Sequence, residues 1–376
     1  MKKTVIGVIG CGVISNTYLR DLKRLCPELT VKAVADTIPE AAARQKEAFD
    51  IPVGCTPEEL LADPEIEIVV NLTPPMLHTK VNRQVLEAGK HLFCEKPFAL
   101  TMEDAEATVA LAKEKGLVIG CAPDSFLGSS LTTCKKLIDD GRIGKPLYIC
   151  MNMMSCGVET WHPKPENFYR EGGGPIYDMG GYYFSALVTM FGPVESIFAL
   201  GGKGFEERII YTPERFGTTF PVEVPTHYSA LLKLKNGMIV NANFSFDIWK
   251  NNMPMFEVYG TEGTLEVPDP NMHGGTPRLY RKEQTLAAAF GGEDPAGGDS
   301  WPVPELAQNV GTYVRFLGVK DLAAAIREGR PPRVSTGLAL HVTEIMISVI
   351  ESARTGEKIT LDTSYDPDTY TEGDIK

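Results

Sequence analysis

A glycine-rich turn near the start of the chain has the spacing of a dinucleotide-binding site. The segment Gly10-Cys11-Gly12-Val13-Ile14-Ser15 follows an apolar run typical of a strand and precedes a helical pattern. In such a turn the first glycine permits a tight bend, the second lets the backbone approach a pyrophosphate, and the helix N-terminus binds the anion. The motif G-x-G-x-x-G is matched except at Ser15, where a small residue suffices for packing. The residues expected to contact the phosphates are Gly10, Gly12, Val13 and Ile14.

One acidic residue indicates which dinucleotide binds. Asp36 ends the second strand-like run, 21 residues after Ser15, where a carboxylate accepts hydrogen bonds from the adenosine ribose. The same carboxylate repels a 2′-phosphate, and the next residues, Thr37 and Ile38, include no arginine to bind one. The alternative is an ordinary surface aspartate beside a glycine turn, but strand, turn, helix and acid all occur in the required order. The pattern therefore predicts NAD, with NADP disfavoured.

Two further strand-like runs end in residues suited to the same site. Thr73 and Pro74 follow one of them, with His78 close behind, and Glu95-Lys96-Pro97 follows the other. Open α/β sheets bind ligands at the carboxyl ends of their strands, and a proline biases the residue before it away from helix. The residues expected beside the cofactor are Thr73, Pro74, His78, Glu95 and Lys96.

Taken together, these motifs resemble a known family. The turn near residue 10, the T-P-x-x-x-H segment at 73–78 and the run A-G-K-H-L-F-C-E-K-P at 88–97 resemble the Gfo/Idh/MocA oxidoreductases, over nearly the whole chain. The resemblance implies a Rossmann half and a second half whose open-faced sheet serves substrate binding and oligomerisation. It also implies reversible hydride transfer between a nicotinamide and a sugar or cyclitol hydroxyl, with Lys96 hydrogen-bonded to the reacting oxygen.

A second motif of that family is matched with one substitution. The pattern G-G-G-x-x-x-D-x-G-x-H fits residues 172–182, with Tyr182 in place of the usual histidine. Asp178 lies four residues earlier, so on a helix both side chains face the same way. Lowering the pKa of a tyrosine from about 10 to about 7 takes roughly 4 kcal/mol, which one cation about 4 Å away can supply. Tyr182 is thus one candidate base, with Lys96 as that cation and Asp178 orienting the substrate or the base.

Three more residues are candidates for the substrate site, and each has a structural alternative. His162 is the rival general base, or a hydrogen-bonded loop residue. Trp161 offers a flat face for stacking on a sugar ring or covering the nicotinamide, or it packs in a core. Asp124 binds substrate hydroxyls, or it caps the next helix. The dispersed histidines expected to be structural are His227, His273 and His341.

The elements that must hold these residues divide the chain in two. Strand-like and helix-like segments alternate at first, which predicts an α/β fold with a doubly wound parallel sheet. Longer alternating runs follow, two of them flanking the hairpin signal Asn236-Gly237. We predict a Rossmann domain at 1–122, an α+β domain with a large open-faced, mainly antiparallel sheet at 123–361, and a poorly ordered polar tail at 362–376. The stretches predicted to be loops are 201–224 and 268–301.

Composition narrows the class of protein. The 376 residues are 43% hydrophobic and 23% charged, and the net charge of −12 disfavours a nucleic-acid partner. No apolar window is long enough for a membrane span, and the N-terminus does not resemble an export signal. Eight cysteines without C-x-x-C spacing disfavour a zinc site or a disulfide framework. We expect a cytoplasmic protein with reduced thiols and no metal, and the resemblance implies a homo-oligomer (dimer, tetramer or hexamer).

The predicted function is therefore NAD-dependent oxidation of a secondary hydroxyl of a sugar, glycoside or cyclitol, with C3 as one candidate position. Three alternatives remain open. The first is a reductase of a non-sugar carbonyl in the same fold, and the second is an oxidoreductase that retains its cofactor tightly. The third is a regulatory protein that binds NAD without turnover. An extracellular sugar-binding protein is disfavoured by the lack of an export signal.

Overall fold

The computed structural model describes residues 3–290, 301–302 and 311–366. The strands of these residues are β1 (Thr4–Ile9), β2 (Leu29–Ala35), β3 (Val53–Cys55), β4 (Ile68–Asn71), β5 (His91–Cys94), β6 (Ile119–Cys121), β7 (Pro146–Met154), β8 (Val194–Gly202), β9 (Glu207–Ile209), β10 (Thr219–Pro221), β11 (His227–Leu234), β12 (Ile239–Ser245), β13 (Phe256–Gly260), β14 (Gly263–Glu266), β15 (Arg278–Arg281), β16 (Trp301–Pro302) and β17 (Ile359–Thr360).

The helices are α1 (Val13–Leu25), α2 (Pro39–Phe49), α3 (Pro57–Ala62), α4 (His78–Glu87), α5 (Met102–Glu114), α6 (Ser129–Asp139), α7 (Gly181–Phe191), α8 (Lys282–Ala289), α9 (Leu317–Glu328) and α10 (Thr336–Thr355). A single π-helical turn, Ile176–Gly180, runs directly into α7. The chain divides into two compact units, the first made of Met1–Asp124 and Tyr313–Thr343 and the second of Ser125–Thr312 and Glu344–Lys376.

The first unit is built on a parallel sheet of six strands, in the order β3-β2-β1-β4-β5-β6. This is the doubly wound order, in which ligands bind at the carboxyl ends of the strands where the order reverses, here between β1 and β4. All four residues of β4 are buried, as expected for a strand covered on both faces. The predicted Rossmann fold is confirmed.

Residues 313–343 return to the first unit, whereas the sequence prediction assigned them to the second domain. The amide of Cys121, at the end of β6, donates to the carbonyl of Val334 at 3.0 Å. Helix α9 packs near β5 and β6. A helical stripe in a sequence shows that a helix has a buried face, but it does not show which sheet that face covers.

The second unit contains a sheet of nine strands in the order β16-β15-β14-β13-β7-β12-β11-β8-β17. Its neighbours pair antiparallel except β7 and β12, which run parallel. The predicted mainly antiparallel sheet is confirmed, and the hairpin predicted at Asn236-Gly237 joins β11 to β12. The stretches predicted to be loops contain structure: β9 pairs with β10 within 201–224, and β15 and α8 lie within 268–301, of which 291–300 fall outside the described residues.

One face of this sheet is exposed and partly apolar. Along β11 every second side chain is buried, and the residues between them, including Leu231, are exposed. Leu231 lies opposite Phe198 of β8, and Leu200 lies opposite Ser229. We call this surface, marked by Phe198, Leu200 and Leu231, the open face.

The start of the predicted polar tail is packed. The carboxylate of Glu344 accepts the backbone N–H groups of Asp362 and Thr363 at 2.8 and 2.9 Å, and Tyr365 is buried. These bonds hold residues 362–366 against the second unit, where the sequence had predicted poor order. The rest of the tail lies outside the described residues. Within the described part of the chain, no helix has the length and apolar character needed to cross a membrane.

Candidate active site

The glycine-rich turn lies at the switch point of the parallel sheet. Gly10 follows β1 with a φ of +102°, and a Cβ built on it would lie 2.6 Å from the backbone of Leu72, which follows β4. Only glycine fits this conformation and this close approach. The turn predicted from the sequence is therefore at the point where a doubly wound sheet binds its ligand.

Gly12 shows how the turn fits a phosphate. Its backbone (φ −77°, ψ −168°) is one that any residue adopts, and a Cβ added there would meet no atom within 4 Å. The protein itself therefore does not require a glycine at this position. Gly12 caps α1 without a side-chain hydrogen bond, so the space beside it adjoins the first N–H groups of that helix, which suit an anion.

The rest of the edge also fits a dinucleotide. The carboxylate of Asp36, directly after β2, accepts the N–H groups of Cys11 at 2.8 Å and Ile38 at 2.9 Å, which fixes it beside the glycine turn. Exposed apolar side chains follow three of the strands and offer faces for a base; they are Val13, Ile38 and Met76. The residues present thus fit the cofactor that the sequence predicted.

Two further strand ends of this edge, those of β4 and β5, are followed by Thr73 and Lys96. Thr73 follows β4 and donates its amide and hydroxyl to the side-chain oxygen of Asn71, at 3.1 and 2.7 Å. Lys96 follows β5 and is half-buried. Its backbone N–H donates to Glu95 at 2.8 Å, and the same buried carboxylate accepts the hydroxyl of Tyr18 at 2.8 Å. The buried carboxylate of Glu95 therefore helps to fix the backbone at Lys96.

Two residues predicted in the site are buried and bonded to the protein instead. His78 is 1% exposed, and both of its ring nitrogens lie against backbone carbonyls. Asp124 is buried, and its carboxylate accepts the N–H of Gly318 at 2.8 Å, in the first turn of α9. Asp124 thus caps a helix, although not the next one along the chain. Both side chains are thus hydrogen-bonded to backbone groups of the first unit.

In the second unit, the glycine motif leads into a π-helical turn that carries Asp178. The turn spans Ile176–Gly180, and Tyr182 follows in the first turn of α7. Asp178 is half-buried, whereas Tyr182 is buried. Burial raises the pKa of the neighbouring Tyr177 to about 12 and so disfavours it as a base. Single π turns are frequent at functional sites.

The loop before this motif presents Trp161 and His162. Trp161 is 62% exposed, which excludes the packed-core alternative. The ring of His162 contacts Phe168 edge-on, with centroids 4.8 Å apart, and its Nδ1 accepts the N–H of Lys164 at 3.0 Å. Burial lowers the pKa of His162, and the charge of Asp178 opposes this shift, so the second unit brings these two candidates into electrostatic contact. Of the dispersed histidines, His273 and His341 are fully buried.

A buried ionic cluster that the sequence did not reveal anchors this loop. Arg208 on β9 donates to Glu159 at 2.8 Å and to Asp247 at 3.1 Å. It also donates to the carbonyl of Cys156 at 2.6 Å, and Tyr169 donates its hydroxyl to Glu159. Because Glu159 precedes Trp161 by two residues, the cluster fixes the base of the loop. The partners are 49 and 39 residues from Arg208 along the chain, so no local pattern signals them.

Removing Arg208 should strongly destabilise the second unit. In Arg208→Met, the buried carboxylates of Glu159 and Asp247 lose their cation, and breaking such a pair typically costs about 3–5 kcal/mol. The change is measured as the free energy of urea unfolding. Arg215→Met is the control, because Arg215 forms a more exposed pair with Glu166 and should lose far less. Equal losses in the two variants would contradict a structural role for the Arg208 cluster.

No group of three or more histidine, cysteine or acidic side chains in the described ranges is arranged to hold a metal ion. All eight cysteines are free thiols. One of these thiols, Cys11, lies within the glycine turn. Burial and the charge of Asp36 raise its pKa to about 12, so the thiol stays neutral.

Comparison with known proteins gives the same picture. Residues 4–122 match the model of an oxidoreductase family with an NAD-binding Rossmann fold, and residues 131–266 match the GFO/IDH/MocA C-terminal domain. Levoglucosan dehydrogenase of Pseudarthrobacter phenanthrenivorans is 24% identical over 383 residues, covering 94% of this chain and 97% of the relative. The scyllo-inositol 2-dehydrogenase (NADP(+)) of Bacillus subtilis is 24% identical over 369 residues, covering 95% and 96%. A solved structure of levoglucosan dehydrogenase with NADH and levoglucosan has the same fold, with a TM-score of 0.76 at 23% identity, covering 96% of this chain and 100% of that one.

Both halves of the chain therefore define an NAD-binding oxidoreductase, a dehydrogenase that acts on CH–OH groups. The chain belongs to the Gfo/Idh/MocA family, as its motifs indicated.

Proposed function

We propose that this protein catalyses the reversible, NAD-dependent oxidation of a secondary hydroxyl on a cyclic polyol: a sugar, a glycoside or a cyclitol, with C3 as one candidate position. The observation that carries the proposal is the placement of Lys96 at the same sheet edge as Gly10 and Asp36. The two relatives named above support the substrate class, because levoglucosan and scyllo-inositol are both rings of secondary hydroxyls.

Lys96 is assigned the reacting oxygen. Its ammonium donates a hydrogen bond to the hydroxyl and stabilises the negative charge that develops as the proton leaves. Bound NAD supplies the hydride acceptor. The backbone bond from Lys96 to Glu95 orients the residue. Asp178 and Tyr182, in the second unit, are assigned further roles in the same reaction.

The hydrogen bond at His162 favours Tyr182 as the base. The Nδ1 atom of His162 accepts a backbone N–H, so the neutral ring carries its single proton on Nε2. That nitrogen can donate to a substrate hydroxyl but cannot accept a proton from it. We therefore assign proton removal to Tyr182 and substrate orientation to His162 and Asp178.

Trp161 is assigned to the substrate ring. Its indole is exposed beside His162, with ring centroids 5.3 Å apart at an interplanar angle of 81°. The flat apolar face of an indole suits the C–H face of a pyranose or cyclitol, while the neighbouring imidazole N–H suits its hydroxyls. This pairing of a flat apolar group and a donor is a further reason to favour a cyclic polyol over a small non-sugar carbonyl.

Asp36 should set the choice of cofactor. Family membership does not, because the relative from Bacillus subtilis is named for NADP(+). Cys11 donates to one carboxylate oxygen of Asp36 and Ile38 to the other, so Asp36→Asn keeps an acceptor for only one of these bonds and removes the charge that repels a 2′-phosphate. The ratio of kcat/KM for NAD over NADP should fall about 10- to 100-fold, as expected for a lost hydrogen bond to a charged group. Asp50→Asn, on the exposed end of α2, is the control, and an unchanged ratio in Asp36→Asn would remove Asp36 from the ribose site.

A substrate screen tests the proposed function. The enzyme is incubated with NAD and a panel of pyranoses, glycosides and cyclitols, with simple secondary alcohols as controls, and NADH absorbance is followed. We expect turnover of at least one cyclic polyol and far weaker turnover of acyclic alcohols. Oxidation of NADH by non-sugar carbonyls alone would favour the reductase. NAD binding without hydride exchange into the cofactor would favour a regulatory protein, and NADH formed but not released would indicate a retained cofactor.

The open face supports the homo-oligomer that the resemblance implies. Three apolar side chains on neighbouring strands are exposed there, and contiguous apolar surface commonly marks an interface. Leu231→Glu should shift the protein to a smaller assembly, measured by size-exclusion chromatography with light scattering. Leu286→Glu is the matched control, because this leucine on α8 is 48% exposed against 52% for Leu231. A Leu231→Glu protein of unchanged mass would exclude the open face as the interface. The free thiols fit the reducing cytoplasm, where we place the reaction.

A further inference from the structure

A single buried histidine joins the two strand-end loops of the proposed site. His78, the first residue of α4, is 1% exposed. Its Nδ1 lies 2.7 Å from the carbonyl oxygen of Pro97, and its Nε2 lies 2.7 Å from the carbonyl oxygen of Thr73. Pro97 directly follows Lys96, and Thr73 lies in the loop that follows β4. One imidazole therefore connects the loop after β4 to the loop after β5, which carries Lys96.

The ring belongs to a buried polar network below that edge. Asn71, at the end of β4, donates to the side-chain oxygen of Asn82 at 2.8 Å and accepts both bonds from Thr73. Asn82 in turn donates to the sulfur of Cys94, at the end of β5, at 3.2 Å. Asn71 and Asn82 are both fully buried. Satisfied polar networks of this kind specify one geometry, because any displacement leaves a buried group without its partner.

The hydrogen bonds of the ring make His78 a link between two loops and not a residue that binds substrate. Both partners are carbonyls, which only accept, so a neutral imidazole donates to one of them and an imidazolium donates to both. Burial lowers the pKa of His78, the two carbonyls and Glu95 oppose the shift, and Lys96 adds to it. The charged groups that act on the ring are thus Glu95 and Lys96 themselves. In either protonation state, neither nitrogen is directed at a substrate.

We propose that His78 is a positioning residue for Lys96: through Pro97 it fixes the backbone that carries the ammonium, and through Thr73 it fixes that backbone to the neighbouring loop. This inference rests on the proposed function of Lys96. Displacing a reactive group by about 1 Å can cost roughly 10²-fold in rate. His78 can therefore have a large effect on kcat although it does not contact the substrate.

The same sheet offers a matched control. His91 begins β5, at the opposite end of the strand from Lys96, and its Nδ1 accepts the backbone N–H of Val118 at 3.0 Å. Burial lowers the pKa of His91 as well. His91→Phe therefore removes a side-chain hydrogen bond from the same sheet without altering the loops at its carboxyl edge.

The test compares His78→Phe, His78→Gln and His91→Phe. His78→Phe keeps a ring but loses both bonds, whereas glutamine can still donate to one carbonyl. Active sites are counted by NADH titration, and NAD affinity should change by less than about threefold in all three, because the glycine turn and Asp36 are intact. We expect kcat to fall about 10²-fold in His78→Phe, by less in His78→Gln, and not at all in His91→Phe. The KM for the polyol should change little.

Hydrogen exchange gives a readout that does not depend on turnover. Amides in segments 72–77 and 94–99 should exchange faster in His78→Phe than in wild type, and His91→Phe should leave them unchanged. Faster exchange with an unchanged kcat would overturn the positioning role, and so would exchange and kcat equal to those of His91→Phe. If the wild-type protein turns over no polyol while His78→Phe still exchanges faster in both segments, the proposed function is wrong, but His78 still links the two loops.

Discussion

Replacing Lys96 with methionine is expected to lower kcat for the polyol by about 10²- to 10³-fold, the loss typical of removing one donor to a developing oxyanion. Methionine keeps much of the apolar stem and deletes the ammonium. NAD affinity should remain within about threefold of wild type, because the groups assigned to the phosphates and the ribose lie at Gly10, Gly12 and Asp36. The expected signature is therefore a protein that binds cofactor normally and turns over very slowly.

Calorimetric titration of NAD and initial rates of NADH formation measure the two quantities separately. Lys80→Met, on the exposed surface of α4, is the control for loss of a positive charge in the same unit. Its rate should equal that of the wild type. Turnover of Lys96→Met within tenfold of the wild-type rate would show that Lys96 is not catalytic, whatever the cofactor affinity.

The second large effect is expected at Tyr182. Tyr182→Phe removes the proposed base and should lower kcat by about 10²- to 10⁴-fold. His162→Gln should cost less in kcat and act mainly on the KM for the polyol, because the bond from Lys164 leaves His162 a donor and not a proton acceptor. The comparison separates the two candidates directly.

The dependence of kcat on pH supplies the control for this assignment. A base works only when deprotonated, so a tyrosine base makes kcat rise over the neutral and alkaline range, and this limb should vanish in Tyr182→Phe. Burial lowers the pKa of His162, so a histidine base would place the rise below about 6.5. A larger loss in His162→Gln than in Tyr182→Phe, with the rise at acidic pH, would assign the base to His162.

The cofactor half of the site was predictable because its determinants are local. The turn at Gly10 has a positive φ and lies close to the backbone of Leu72, and only glycine meets both requirements. The position can therefore be recognised in the sequence. The acid at Asp36 follows from the length of one strand–helix–strand unit. Except for the short β3, which is partly exposed, the strands of the first unit are mainly buried apolar runs, and such runs can be recognised in a sequence.

The features that were missed depend on contacts between distant parts of the chain. Arg208 lies in a stretch that was predicted to be a loop, and its partners Glu159 and Asp247 are far from it in sequence. His78 was assigned to the site because it adjoins one of the motifs, and Asp124 because it lies where the predicted domains join, yet both side chains are hydrogen-bonded to backbone groups. A motif shows which residues are neighbours along the chain, but the direction of a side chain depends on tertiary packing.

The crystal structure of the ternary complex with NADH and a polyol that passes the substrate screen tests the central claim most directly. We expect the Nζ atom of Lys96 within about 3 Å of the hydroxyl next to the nicotinamide. An ammonium of Lys96 that points into solvent, with the reacting hydroxyl held by other groups, would contradict it.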